Sequence, residues 1–176
     1  MITEKIPTDV LKYELRKFQI KVAEESRSSY LTFVKKVWPD FIAGNHHRIF
    51  AKKLEDVSRG KIKRLIVNMP PRHTKSEFAS NLFPAWMMGR NPKLKIIQTT
   101  HTAELSYNFG RKVRNLFDQQ EFKDVFPEVN LSQDSKAAGR FTTNKGGEYF
   151  AAGVGGAITG RGADLLIIDD PHSEQD

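Results

Sequence analysis

Three short apolar runs restrict this chain of 176 residues to an α/β fold. They lie at Leu65–Met69, Leu94–Thr100 and Leu165–Ile168. Each reads as a continuous run and not as a strict alternation, which is typical of central strands covered on both faces. Helical patterns separate the runs, so we expect parallel strands joined by helical crossovers. The predicted architecture is a mostly parallel central sheet with helices packed beside it.

Apolar residues at spacings of three and four predict the helices in the first third of the chain. They indicate helix over residues 9–37, with a break near Ser26–Ser29 and an end at Pro39. A second helix is expected from His47 to Ser58, where Gly60 follows.

Further along, a third helix is expected from Ser76 to Met88, and Pro84 should kink or divide it. Thr102 is positioned to cap a fourth helix that runs from Ala103 to Gln119. Residues 120–139 have no strong period and indicate a loop with a short helix. The turn Asn144–Gly147, between two strand-like segments, predicts a β-hairpin.

Composition excludes several classes of protein. There is no cysteine, which removes disulfides, thiolate metal sites and thiol nucleophiles. The hydrophobic content of 39% excludes an intrinsically disordered chain. Because the apolar runs are far shorter than the roughly 20 residues of a membrane helix, we expect no membrane partner. The five histidines form no spacing typical of zinc or triad chemistry. His46–His47 is predicted to cap or pack a helix, and the alternative is that it lines a nucleotide base.

The basic excess is confined to the first third of the chain. The net charge is +7, and residues 1–64 carry all of it, whereas residues 65–176 are neutral overall. A basic segment beside a neutral one indicates a polyanionic partner, most simply nucleic acid. The alternative is a solvated, lysine-rich helical face.

A phosphate-binding loop is predicted where the first apolar run leads into a helix, since backbone N–H groups and the helix N-terminus then point at an anion. Such loops follow G-x-x-x-x-G-K-[ST]. Lys75 and Ser76 match, whereas Met69 and Thr74 occupy the two glycine positions. Lys75 would contact the phosphates and Ser76 would bind Mg²⁺. The alternative is a proline-rich turn before a capped helix. The candidate ATP-binding residues are Pro70, Pro71, Arg72, His73, Thr74, Lys75 and Ser76.

The third apolar run ends in two carboxylates. Asp169 would hold Mg²⁺, and Asp170 would orient the attacking water. Glu174 is an alternative for the second role if the following turn folds back. Acidic strand ends are common in α/β proteins, so the prediction depends on the two motifs occurring together, and a nuclease-like metal cluster fits less well.

Two arginines are candidates to stabilise charge on a transferring phosphoryl group. Arg72 lies within the loop, and Arg161 lies between glycines that could present it to a neighbouring subunit. Ordinary surface arginines are the alternative at both positions.

The combination of motifs resembles the large terminase subunits, the DNA-packaging motors of tailed bacteriophages. Arg64–Ser76 is similar to their variant Walker A segment, residues 99–114 to their second βα unit, and Gly153–Pro171 to their Walker B region. The resemblance covers about residues 37–176. It implies an α/β P-loop NTPase of the RecA-like, additional-strand type, with a basic helical segment (1–60) packing on a truncated ATPase core (61–176).

The resemblance also implies an activity and its partners. The family hydrolyses ATP with Mg²⁺ to drive double-stranded DNA through the portal protein into a procapsid. It works with a small terminase subunit, as a homo-oligomeric ring in the bacterial cytoplasm. Arg72 and Arg161 match family arginines, one of which can act in trans, whereas the family usually has glycine where Thr74 stands.

Length separates this chain from the family, whose members continue into a coupling motif, further strands and a nuclease domain. We therefore expect no nuclease activity and impaired ATP turnover from this chain alone. Two alternatives stay open: another P-loop nucleic-acid translocase such as a helicase fragment, or a module that binds DNA or partner subunits without hydrolysing ATP.

Overall fold

The computed structural model describes residues 7–172, with the side chains of residues 135 and 136 left out of the description. Its α-helices are α1 (Thr8–Ser28), α2 (Tyr30–Val37), α3 (Asn45–Ser58), α4 (Phe83–Arg90), α5 (Ala103–Leu116) and α6 (Gln120–Val125). A π-helical segment, Glu77–Leu82, leads directly into α4. The strands are β1 (Lys95–Thr100), β2 (Leu131–Ala137), β3 (Arg140–Thr143), β4 (Glu148–Gly153) and β5 (Leu165–Ile168).

The five strands form one open sheet in the order β2-β3-β4-β1-β5. Strands β4, β1 and β5 are parallel, whereas β2, β3 and β4 are antiparallel. The α/β class is confirmed, and so is the hairpin between β3 and β4. The expectation of a mostly parallel sheet is wrong, because that hairpin and the unpredicted strand β2 make half of the sheet antiparallel.

The first and third apolar runs differ from their prediction. Leu65–Met69 forms no strand and pairs with none of the five strands. Strand β5 is an edge strand, not a central one, and Leu166 and Ile168 are 56% and 58% exposed. The prediction of two covered faces therefore fails for β5, because Leu165 and Ile167 pack against the core whereas no described element covers the face that carries Leu166 and Ile168. It holds for β1, whose last five residues are buried.

Local chemistry explains the helix boundaries. Ser29 separates α1 from α2, and its hydroxyl accepts the Thr32 N–H, as expected of a cap. Pro84 has no N–H and its ring crowds the preceding turn, so the helix widens before it. The Phe83 N–H accordingly donates to the Phe78 carbonyl, five residues earlier. The predicted interruption at Pro84 is confirmed, and it takes the form of a π-helical segment.

An aromatic core joins the N-terminal helices to the rest of the chain. Tyr30 is fully buried, its ring lies 5.2 Å from that of Trp86, and its hydroxyl donates to the Phe78 carbonyl at 2.6 Å. The Trp86 indole N–H donates to the Ser26 carbonyl at 2.8 Å. Within residues 7–172, no helix is both long and apolar enough to cross a membrane.

Candidate functional site

The loop that precedes the π-helical segment has a special backbone. Arg72 and Thr74 adopt φ angles of 62° and 63°, in the left-handed region that favours glycine. The Thr74 hydroxyl donates to the His73 carbonyl at 2.6 Å, and the Thr74 carbonyl accepts the Phe78 N–H at 3.0 Å. The loop therefore curls tightly into the first helical turn at Lys75 and Ser76, as a phosphate-binding loop requires.

Lys75 reaches across the molecule to the carboxylates that follow β5. Its Nζ lies 2.5 Å from Oδ1 of Asp170 and 3.6 Å from Oδ1 of Asp169. The fold thus brings together the lysine of the first motif and both carboxylates of the second. Lys75 and Asp170 are 95 positions apart in the sequence. These three side chains are the centre of the candidate site.

Backbone hydrogen bonds hold the two carboxylates at the carboxyl end of β1. The Asp169 N–H donates to the Thr99 carbonyl at 3.0 Å, and the His101 N–H donates to the Asp170 carbonyl at 3.1 Å. The Asp169 side chain is buried and its Oδ2 accepts the Ser80 hydroxyl at 2.8 Å, whereas Asp170 is exposed. One carboxylate is therefore fixed and the other faces solvent.

Opposing effects act on the pKa of Lys75. Burial lowers the pKa of its ammonium group, which is the largest single effect. The hydrogen bond to Asp170 and the charges of Asp169 and Asp170 together outweigh burial and raise the pKa above its usual value. Lys75 is consequently a fixed positive charge at neutral pH, suited to an anionic ligand.

His47 supports the loop from the N-terminal helices. Its Nδ1 accepts the Gly44 N–H at 2.9 Å, which places the ring proton on Nε2. That Nε2–H then donates to the Thr74 hydroxyl at 2.7 Å. Burial, followed by the neighbouring His46 and His73, lowers the pKa of His47. The expected capping and packing role of His47 is confirmed, whereas its contact with the loop was not predicted.

The candidate arginines lie in different places. Arg72 is exposed on the loop itself. Arg161 donates to Glu148 Oε1 at 2.9 Å and stacks over the Phe150 ring at 3.9 Å. Glu148 begins β4, roughly 17 Å along the strand from the carboxyl end where Asp169 lies. The structure thus keeps Arg161 out of its own chain's site, and Glu174 lies outside the described residues.

The site offers oxygen ligands for a cation. Mg²⁺ usually takes one or two protein oxygens and completes its shell with water and phosphate. The buried Asp169 carboxylate and the Ser76 hydroxyl, in the first helical turn after the loop, are the candidate oxygen ligands for that role. Among residues 7–172, no three His, Asp or Glu side chains converge as a ready-made metal cluster. Sequence reasoning missed Ser80, which orients Asp169 from a helix position without any motif of its own.

Comparison with known proteins adds no identification, since no family, curated protein or solved structure matches this chain. A function for this chain is therefore inferred from its sequence motifs, its fold and the contacts of the site.

Proposed function

We propose that this chain binds ATP with Mg²⁺ and hydrolyses it at the site formed by the loop Pro70–Ser76 and the carboxylates Asp169 and Asp170. The observation that carries the proposal is the contact of Lys75 with Asp170 and Asp169 at 2.5 and 3.6 Å. A lysine that binds the terminal phosphates and a carboxylate that binds their metal ion must face the same ligand. The three side chains meet that condition.

Each residue has a role in the proposed site. The loop backbone and Lys75 bind the phosphates, and Lys75 exchanges its carboxylate partners for phosphate oxygens. Ser76 and Asp169 would hold Mg²⁺, which neutralises phosphate charge when bound. Asp170 is then free to orient the attacking water through its exposed carboxylate.

The arginines have less direct roles in this proposal. Arg72 is near enough in sequence to Lys75 to stabilise charge on the same ligand. Arg161 would act only in trans, on a neighbouring subunit, after it leaves Glu148 and Phe150.

We further propose that the ATPase is part of a DNA-packaging motor of the large terminase type, with a RecA-like P-loop core. The resemblance of Arg64–Ser76 and Gly153–Pro171 to that family supports this interpretation, as does the basic first third of the chain. Double-stranded DNA, the portal protein and the small terminase subunit are the partners that such a role requires, with the chain working in a ring.

ATP hydrolysis by the full chain, with Mg²⁺ and with or without double-stranded DNA, tests the proposal. We expect slow turnover in the native chain and a further loss of at least about 100-fold in Asp170→Asn, because a positioned base contributes that much. Asp118→Asn, a change of an exposed carboxylate outside the site, is the matched control and should turn over normally.

Two other results of this ATPase assay would change the proposed function. ATP binding without hydrolysis in the native chain would favour the module that binds DNA or subunits and does not turn over ATP. Full activity in Asp170→Asn would contradict the assigned role of that carboxylate.

A further inference from the structure

The N-terminal part of α1 is exposed to solvent in the described part of the chain. Every residue from Pro7 to Lys21 is exposed, and burial begins at Ala23. The last turns are anchored, since the Ser26 carbonyl accepts the Trp86 indole N–H and Arg27 Nε donates to the Val125 carbonyl. About 22 Å of helix is therefore exposed, and of its residues Arg16, Gln19 and Ile20 border a groove with Asp124 of α6. We call residues 7–21 the arm.

An exposed arm of this length is only marginally stable through its own hydrogen bonds. Isolated helices shorter than about 12–15 residues are marginal in water, and most helical stability in proteins comes from packing of an apolar face. The arm carries such a face with nothing against it. Leu11, Leu15 and Phe18 are 59%, 55% and 63% exposed.

These apolar residues form a narrow stripe with coiled-coil spacing. Leu11, Leu15, Phe18 and Val22 follow one another at intervals of four, three and four residues. At 100° per residue they fall within an arc of roughly 60°. Ala23 and Arg27, which face the protein, lie roughly 110–150° around the helix from the centre of the stripe, whereas the fully buried Ser26 lies roughly 50° from it. A second helix can therefore lie along the stripe over the exposed residues 7–21, and it reaches the protein only beside the anchored turn at Ser26.

We propose that the arm pairs with the arm of a second copy of this chain as an antiparallel two-helix coiled coil. In that arrangement Leu11 packs against Val22 of the second copy, and Leu15 against Phe18. The proposal concerns α1 alone and goes beyond the ATP chemistry, on which it does not depend.

The charges beside the stripe indicate that the occupant is a second copy of this chain and that the two arms run antiparallel. Glu14 and Lys21 lie on the same flank of the stripe, seven residues apart. When the arms run in opposite directions, Glu14 of each copy faces Lys21 of the other, so the surface is complementary to itself. When they run in the same direction, Glu14 faces Gln19 and Lys21 faces Ser26, and no ion pair forms. The contact of Glu14 with Lys17 is long and exposed, at 3.6 Å, and does not compete strongly.

The antiparallel direction also keeps the two folded cores apart. With Leu11 opposite Val22, residue 26 of one copy lies level with residue 7 of the other. Each core therefore lies at the far end of the partner's arm. Residues 12–21 of the two arms overlap, and residues 7–11 of each copy lie along residues 22–26 of the other.

Sedimentation velocity of the full chain measures the association, with helicity by circular dichroism at the same concentrations. We expect a monomer–dimer equilibrium whose helicity falls on dilution as the arms separate. Leu15→Asp should weaken dimerisation by at least about tenfold, because it places a charge in the apolar seam. Tyr13→Asp is the matched control: Tyr13 is 61% exposed on the opposite face of the arm, and its change should leave dimerisation intact.

Charge reversal tests the direction and the identity of the occupant. Glu14→Lys and Lys21→Glu should each weaken self-association several-fold, and the double variant should restore it. A mixture of the two single variants should associate more tightly than either alone, because every pair is then opposite in sign. A monomer at about 1 mM native protein, equal dimerisation of Leu15→Asp and native chains, or no preference in the mixture would each overturn the proposal.

Discussion

At Thr74 the chain keeps a backbone conformation that glycine usually adopts in phosphate-binding loops. A φ of 63° costs a residue with a Cβ about 1–2 kcal/mol. The Thr74 hydroxyl offsets part of this cost, because it accepts a hydrogen bond from His47 and donates one to the His73 carbonyl. The departure from the glycine pattern is therefore compensated by a side chain from the N-terminal helices.

The lowered pKa of His47 predicts a pH dependence of stability. The folded protein takes up a proton on His47 at lower pH than the unfolded chain does. The stabilisation from neutral His47 is thus complete above its ordinary pKa of 6.5, and it is lost as pH falls through the folded pKa. Protonation also removes the acceptor at Nδ1 for the Gly44 N–H.

Urea unfolding between pH 7.5 and about 5 checks this expectation. The free energy of unfolding should fall with pH in the native chain and fall less steeply in His47→Gln. The same change at the exposed His101 controls for loss of a histidine elsewhere. An equal pH slope in His47→Gln and in the native chain would remove His47 as the cause.

At the scale of elements, the sequence predicted best what local chemistry determines. The helix break near Ser26–Ser29, the interruption at Pro84 and the β3–β4 hairpin depend on neighbouring residues, and all three are present. The edge position of β5 depends on which strands pair with each other, and an apolar run in the sequence does not predict the pairing. The failure of Leu65–Met69 to pair has the same origin, because a strand needs a partner as well as β propensity.

In the candidate site, too, the sequence predicted the residues of local motifs but not the contacts between distant positions. The sequence singled out Lys75, Asp169 and Asp170, and the fold brings them into contact. It could not indicate the bonds of Ser80 to Asp169 or of His47 to Thr74, which join residues 89 and 27 positions apart. The position of Arg161 was also beyond sequence reasoning, since a glycine-rich loop has no periodicity that fixes its direction.

The cap of α5 gives a prediction at this scale. The Thr102 hydroxyl accepts the Leu105 N–H at 3.2 Å, as predicted for an N-cap. Thr102→Ala should lower the free energy of unfolding by about 1 kcal/mol. Thr102→Ser should keep most of the stabilisation by the cap, because serine keeps the hydroxyl acceptor. Thermal or urea unfolding of the three proteins measures the effect, and equal losses in both variants would argue against the cap.

Over the whole molecule, the basic excess and the candidate ATP-binding site lie in different parts of the chain. The basic excess belongs to residues 1–64, whereas Lys75, Asp169 and Asp170 belong to the part with no net charge. The two regions are joined by the aromatic core around Tyr30 and Trp86 and by the His47–Thr74 hydrogen bond. A polyanion bound by the N-terminal helices would therefore be linked, through these packing contacts and this hydrogen bond, to the loop Pro70–Ser76.

Double-stranded DNA binding should follow this charge distribution. We expect the logarithm of the binding constant to fall linearly with the logarithm of salt concentration. Reversal of the exposed α3 lysines, Lys52→Glu and Lys53→Glu, should weaken binding and flatten that dependence. Lys145→Glu, in the β3–β4 turn, should change little. Fluorescence anisotropy with a labelled duplex measures this, and equal losses at all three lysines would contradict a localised surface.

Equilibrium binding of ATP to the full chain is the most direct test of the proposed site. Isothermal titration calorimetry with and without Mg²⁺ should detect binding by the native chain and by the exposed-lysine control Lys145→Ala. Lys75→Ala should bind at least about tenfold more weakly, because it loses a charge-assisted contact to phosphate. If Lys75→Ala is folded by circular dichroism and binds ATP as tightly as the native chain, the phosphate-binding role of this loop is wrong.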